Sequence, residues 1–180
     1  MSTKHDCDCH ECFAGSKNTR QLLDKTIRTA GFVPIYVYDA NPPFVYTMGL
    51  TDKGLPEIIL SGGFTAEEFN GLCMSIMPKL VSDHAKTLKT MSVSTRVPKM
   101  IKVKTSAGQL INAPIKLGEV HVTQYSTLFG KAIDRYGMGN FRVVQLFVPD
   151  QNGKLEGDIG FDEQWNIETA KQYPLDKHLY

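Results

Sequence analysis

The spacing of apolar residues along the chain alternates between helical and strand periods. After a polar start over residues 1–15, Leu22, Leu23, Ile27 and Ala30 fall on one face of a helix that Ser16 or Asn18 can cap and Gly31 can end. The period then shortens. Phe32–Tyr38, Phe44–Leu50 and Glu57–Leu60 are rich in β-branched and aromatic residues, and turns at 39–43 and 51–54 separate them. Short connections of this kind predict a meander of three adjacent strands. Thr65 and Glu68 form a capping box ahead of a helix whose stripe is Phe69, Leu72, Cys73, Ile76 and Leu80, with Pro78 expected to kink or end it early. Strands return at 91–97, 100–104, 110–117 and 120–122. A short helix over 126–136 gathers Leu128, Phe129, Ala132 and Ile133. Phe141–Val148 is almost continuously apolar, the pattern of a central strand. The predicted fold is therefore α+β: a mostly antiparallel, strongly bent sheet or partly open barrel packed by two or three helices.

Composition agrees with one such domain. The chain has 180 residues, 42% hydrophobic and 22% charged, enough to bury a core. The expected organisation is a cysteine-rich N-terminal appendage over 1–15, an α+β core over 16–153 and an acidic C-terminal tail over 154–180 packed on that core. No apolar run reaches the length of a membrane span, and the first residues lack the apolar stretch of a signal peptide, so a cytoplasmic location is expected.

Particular residues then resemble a known family. Pro43-Phe-Val-Tyr46-Thr47-Met-Gly49-Leu50 followed by Pro56-Glu57-Ile58, and Gln145-Leu146-Phe-Val-Pro149-Asp150-Gln-Asn-Gly153, are similar to the two signature segments of the bacterial and phage family named domain of unknown function 4262. Gln172 and Leu175 resemble that family's terminal Gln-Pro-Leu, with Tyr173 inserted here. The resemblance covers residues 31–175. After Gly153 this chain has Lys154-Leu-Glu-Gly157, where many members continue Gly-x-hydrophobic-Pro-Trp. The resemblance implies no activity.

Three groups of residues are candidates for chemistry. His5, Cys7, Cys9 and Cys12 offer four ligands of the kind a structural zinc takes, one per chain; a terminus that binds no metal is the alternative. The net charge of +1 conceals a segregation. Residues 83–104 hold six basic side chains against one acidic, net +5, and residues 150–168 hold one basic against six acidic, net −5. Within the basic stretch Arg96 can grip a phosphate with two parallel hydrogen bonds, and Lys99 and Lys102 add charge. Tyr46 and Tyr125 are aromatics able to stack a base, Thr47 accompanies Tyr46, and Gly49 permits a ligand or another backbone to come close. The bland readings are a solvated strand face, core tyrosines and a strand bulge. His84, expected in a loop, His121, Glu57 and Asp150 sit in no catalytic motif, and Cys73 belongs to an apolar helix stripe.

The expectation is a non-catalytic protein that binds an anionic small molecule, in the sharpest form a phage-type sponge that sequesters a cyclic nucleotide immune signal. A homo-oligomer is expected, and neither duplex nucleic acid nor membrane is an expected partner. An enzyme on a bent barrel (a flavin-using reductase or a phosphoester hydrolase) and a zinc-stabilised interaction module are the alternatives.

Overall fold

The computed structural model describes residues 17–61, 66–90, 95–105 and 107–162. In chain order the elements are α1 (Lys17–Ala30), β1 (Val33–Val37), β2 (Phe44–Met48), a 3-10 turn (Thr51–Lys53), β3 (Glu57–Ser61), α2 (Ala66–Thr90), β4 (Thr95–Lys104), β5 (Leu110–Glu119), a second 3-10 turn (Val122–Gln124), α3 (Tyr125–Leu128), α4 (Gly130–Tyr136) and β6 (Val143–Phe147). The six strands form one bent, open sheet in the order β1-β2-β3-β6-β5-β4. The expected α+β class is the observed one.

The meander β1-β2-β3 is antiparallel throughout, and β4, β5 and β6 are antiparallel in turn. The two halves meet where β6 lies parallel to β3, pairing Glu57 with Val143 and Ile59 with Gln145. β6 is central, and all five of its residues are buried. Alternation along the strands sends one set of side chains to each face. On one face Val45, Ile58, Leu60, Ile115, Leu117, Val144 and Leu146 pack with Cys73, Ile76, Met77, Leu80 and Leu88 of α2. On the other, Ile35, Tyr46, Met48, Ile59 and Val143 pack with Ile27 of α1 and with Leu128, Phe129 and Ala132. Among the described residues four helices thus cover the sheet, where two or three were expected.

Five local expectations change. Pro78 does not end α2, and at His84, where a loop was expected, the helix kinks and continues. The helix runs 25 residues, and its only non-helical backbone lies at His84 (φ −124°, ψ 18°). The apolar stripe continues past Pro78 through Leu80 and Leu88, both fully buried, and that burial outweighs one lost backbone hydrogen bond. The expected strands 91–97 and 100–104 merge in the described residues as β4, which carries an irregularity between Val97 and Ile101. The expected helix over 126–136 is two pieces, broken at Phe129 (φ −122°, ψ 40°). Leu22 lies off the buried stripe of α1 and is 61% exposed. No helix among the described residues is long and apolar enough to cross a membrane.

Candidate functional site

The two signature segments build two buried carboxylate clamps. Glu57, the first residue of β3, is fully buried. Its Oε2 accepts the Thr47 hydroxyl at 2.7 Å and the Leu50 N–H at 3.4 Å. Its Oε1 accepts the N–H groups of Gly49 at 3.1 Å and Thr51 at 2.9 Å. The Thr47 oxygen in turn accepts the Ile58 N–H at 2.8 Å. One carboxylate thereby gathers the amides where β2 turns into the 3-10 segment. Burial pushes the Glu57 carboxyl above its ordinary value, and the Thr51 N–H, Thr47 hydroxyl and Gly49 N–H pull it partly back. Gly49 has φ +123°, and a Cβ there would sit 2.9 Å from Ile27 Cγ2 and 3.0 Å from Phe32 Cα. The close approach is by the chain's own backbone.

The second clamp repeats the device. Asp150 is buried. Its Oδ1 accepts the N–H groups of Asn152 and Lys154, both at 2.8 Å, and its Oδ2 accepts the Asp162 N–H at 3.0 Å. Gly153 has φ +73°, with Ile111 Cδ1 only 2.6 Å from where a Cβ would stand. In both segments the carboxylate accepts backbone amides and shapes a turn.

The six side chains suggested as ligand contacts do not come together. Tyr46 is buried against Phe129, with ring centroids 5.3 Å apart. Its hydroxyl has backbone hydrogen bonds with Lys131 and Ala132, and burial raises its pKa. Tyr125 is a core residue. Its hydroxyl accepts the Val143 N–H at 2.8 Å, and its ring stacks on Phe141 at 4.9 Å. Burial raises its pKa too. Thr47 is held within the Glu57 clamp. Arg96, Lys99 and Lys102 lie on β4, the opposite edge of the sheet. Three strands stand between β2 and β4, roughly 19 Å at ordinary strand spacing.

On β4 the fork of Arg96 is filled by Asp158, with Nη1 to Oδ1 at 2.7 Å and Nη2 to Oδ2 at 3.0 Å. Each partner moves the other's pKa in the stabilising direction, Arg96 up and Asp158 down. Lys116 lies 3.6 Å from Glu156 and over the Phe147 ring. The acidic stretch is thus tied to the basic edge within one chain. Lys99 is exposed in the β4 irregularity at φ +57°, its carbonyl accepting from Lys79 Nζ at 3.4 Å. Lys102 is exposed opposite Asn112. An edge strand studded with lysines, a proline and an irregularity resists pairing with another strand.

His5, Cys7, Cys9 and Cys12 lie outside the described residues. Among the described residues no group of three or more His, Cys, Asp or Glu side chains is placed to hold a metal. Cys73 is buried on the α2 stripe, its thiol pushed up to about 11 by burial, which suits packing and not nucleophilic attack.

A groove of about 720 Å³ opens at the other edge, along β1 and its following turn and against α3 and α4. Ile35 and Val37 turn toward it from β1, Asp39, Lys131 and Asp134 border it, and the buried Tyr46 is at its base; the side chain of Tyr36, with Tyr38 stacked on it, turns to the α2 face of the same strand. Tyr36 and Tyr38 stack with centroids 5.6 Å apart and planes 3° from parallel, and Tyr38 is 59% exposed. The Tyr36 hydroxyl donates to Asn70 Oδ1 at 3.2 Å, fixing the lower ring to α2. A second cavity of about 200 Å³ adjoins it, sharing Lys131 and Asp134 and adding Arg20, Asp24, Met48 and Arg135. Arg135 is committed to Asp24 and Asp52. Arg20 and Lys131 make no ion pair among the described residues. The combined space is of the size that holds small ligands. Of the six suggested ligand residues only Tyr46 lines it. No local sequence signal marks it, because β1 and α4 are brought together only by the fold.

A family model described as Domain of unknown function (DUF4262) matches residues 26–162. No curated protein and no solved structure matches the chain.

Proposed function

The chain belongs to the family described as Domain of unknown function (DUF4262), and we propose that it is a non-catalytic protein that binds a small, nucleotide-like ligand in the groove between β1 and α4. The observation that carries the proposal is the groove of about 720 Å³ between β1 and α3–α4, floored by the buried Tyr46 and bordered by Lys131. Lys131 and Arg20 supply positive charge to a phosphate on the side away from Tyr38. The buried carboxylates Glu57 and Asp150 support a binding role over acid-base chemistry, since each is occupied by backbone donors. In its sharpest form the protein is a cytoplasmic, homo-oligomeric sponge for a cyclic nucleotide immune signal.

Thermal shift of the full chain against a panel of cyclic di- and trinucleotides tests this. The expected result is a rise in melting temperature with at least one of them. Lys131→Ala and Arg20→Ala should each weaken that ligand about tenfold, near 1.4 kcal/mol. No shift with any member well above micromolar concentration would refute the proposal.

A further inference from the structure

We propose that Gly130 sets the size of the group that the groove between β1 and α4 admits. The inference rests on the ligand reading above and names a specificity-determining residue of that site. Gly130 is the first residue of α4 and lines the groove. Two ordinary reasons for a glycine are missing there. Its φ is not positive, so the backbone does not require one. A Cβ built on it meets nothing within 4 Å, so no neighbouring atom excludes one. Glycine also weakens a helix relative to alanine. The position is therefore kept bare at a cost to α4, and what that bareness serves is the groove it borders. A backbone without a side chain is one that a ligand can approach closely.

The wall at this point does not yield. Phe129, the residue before, is fully buried, and its ring meets the Tyr46 ring edge-on at 5.3 Å. Lys131 and Ala132, the residues after, hold the Tyr46 hydroxyl through their backbone. Tyr46 is the base of the groove, so base and wall are joined on both sides of Gly130. The opposite wall is tied to the same residue, because the β1–β2 register sets Ile35 against Tyr46. With both walls anchored to one tyrosine, the gap between them is fixed. A side chain added at position 130 then takes its volume from the ligand and not from a movement of the wall. Overfilling a fixed site is unfavourable, and the clash grows with the size of the added group.

The test is calorimetric titration of the full chain with cyclic di-GMP and cyclic di-AMP, repeated on Gly130→Ala, Gly130→Leu and Gly71→Ala. Gly71, within α2, also has no positive φ and nothing within 4 Å of a Cβ, and it lines neither the groove nor the adjoining cavity, so it is the control. Both alanine variants should melt at or above the wild-type temperature, since each gains helix propensity. The expected binding result is a loss of about threefold in Gly130→Ala and about thirtyfold in Gly130→Leu, with Gly71→Ala within about twofold of wild type. Wild-type affinity in Gly130→Leu overturns the assignment to Gly130 and leaves the groove reading standing. A fall of more than about 5 °C in the melting temperature of Gly130→Ala overturns the premise that the space is open. Binding of neither nucleotide by the wild-type chain overturns this inference, and the wider panel above then decides the groove reading separately.

Discussion

Glu57 shows how a residue that looks catalytic is spent on shape. It is an acidic side chain in a buried polar cluster, but every partner named for it is a donor from the turn it closes. Glu57→Gln would turn an amide NH2 toward those N–H groups and should cost about 2–4 kcal/mol in urea unfolding. The pH dependence has a definite sign. Burial raises the folded-state pKa above the ordinary 4.5, so the unfolded chain gives up this proton first. The contribution of Glu57 to stability is then greatest below that value and declines as pH rises through the raised one. The gap between wild type and Glu57→Gln should narrow from pH 4 to pH 8, and a widening gap would contradict the assignment. Gly49→Ala meets both a positive φ and a 2.9 Å contact, and should lose about 2–4 kcal/mol. The alternation of Tyr46 and Met48 against Thr47 and Gly49 was legible from the sequence, and so was Gly49's need for a close neighbour. That Glu57 is the partner of Thr47 was not. Ten residues separate them, and the β2–β3 register that joins them is a tertiary fact.

At the scale of elements, α2 shows where local propensity loses to packing. Pro78 removes a helix donor, yet the side chain at that position is exposed, while Ile76 and Met77 before it and Leu80 after it are buried. Pro78→Ala should restore a backbone hydrogen bond and raise stability by about 1 kcal/mol, while Leu88→Ala should lower it by about 3 kcal/mol. Thermal melts of the two variants moving in the same direction would disprove this account. The basic edge β4 is the counterpart case. Its charge was plain in the sequence, but its partner was not, because Arg96 and Asp158 are 62 residues apart. The pair is exposed, so Asp158→Asn should cost less than about 1 kcal/mol. The lowered pKa of Asp158 means that this small contribution is present above pH 3.8 and fades on further acidification.

For the whole molecule, the meander, the central place of β6 and the α+β class were readable from hydrophobic period alone. The parallel β3–β6 join was not, since period carries no information about which distant strands pair. The same limit scattered the suggested ligand residues. Tyr46 and Tyr125 belong to the core, and Arg96, Lys99 and Lys102 belong to the far edge. The net charge of +1 conceals a local pairing, with the acidic stretch tied back onto β4 by Arg96–Asp158 and onto β5 by Lys116–Glu156. The proposed ligand groove lies at the β1 edge, bordered by Asp39, Lys131 and Asp134. The most direct test of this conclusion is an NMR titration of the isotopically labelled full chain with cyclic di-GMP. The prediction is that shifted amide signals cluster in residues 35–39 and 127–134. Signals that move instead along residues 96–104, or no movement at millimolar ligand, would contradict it.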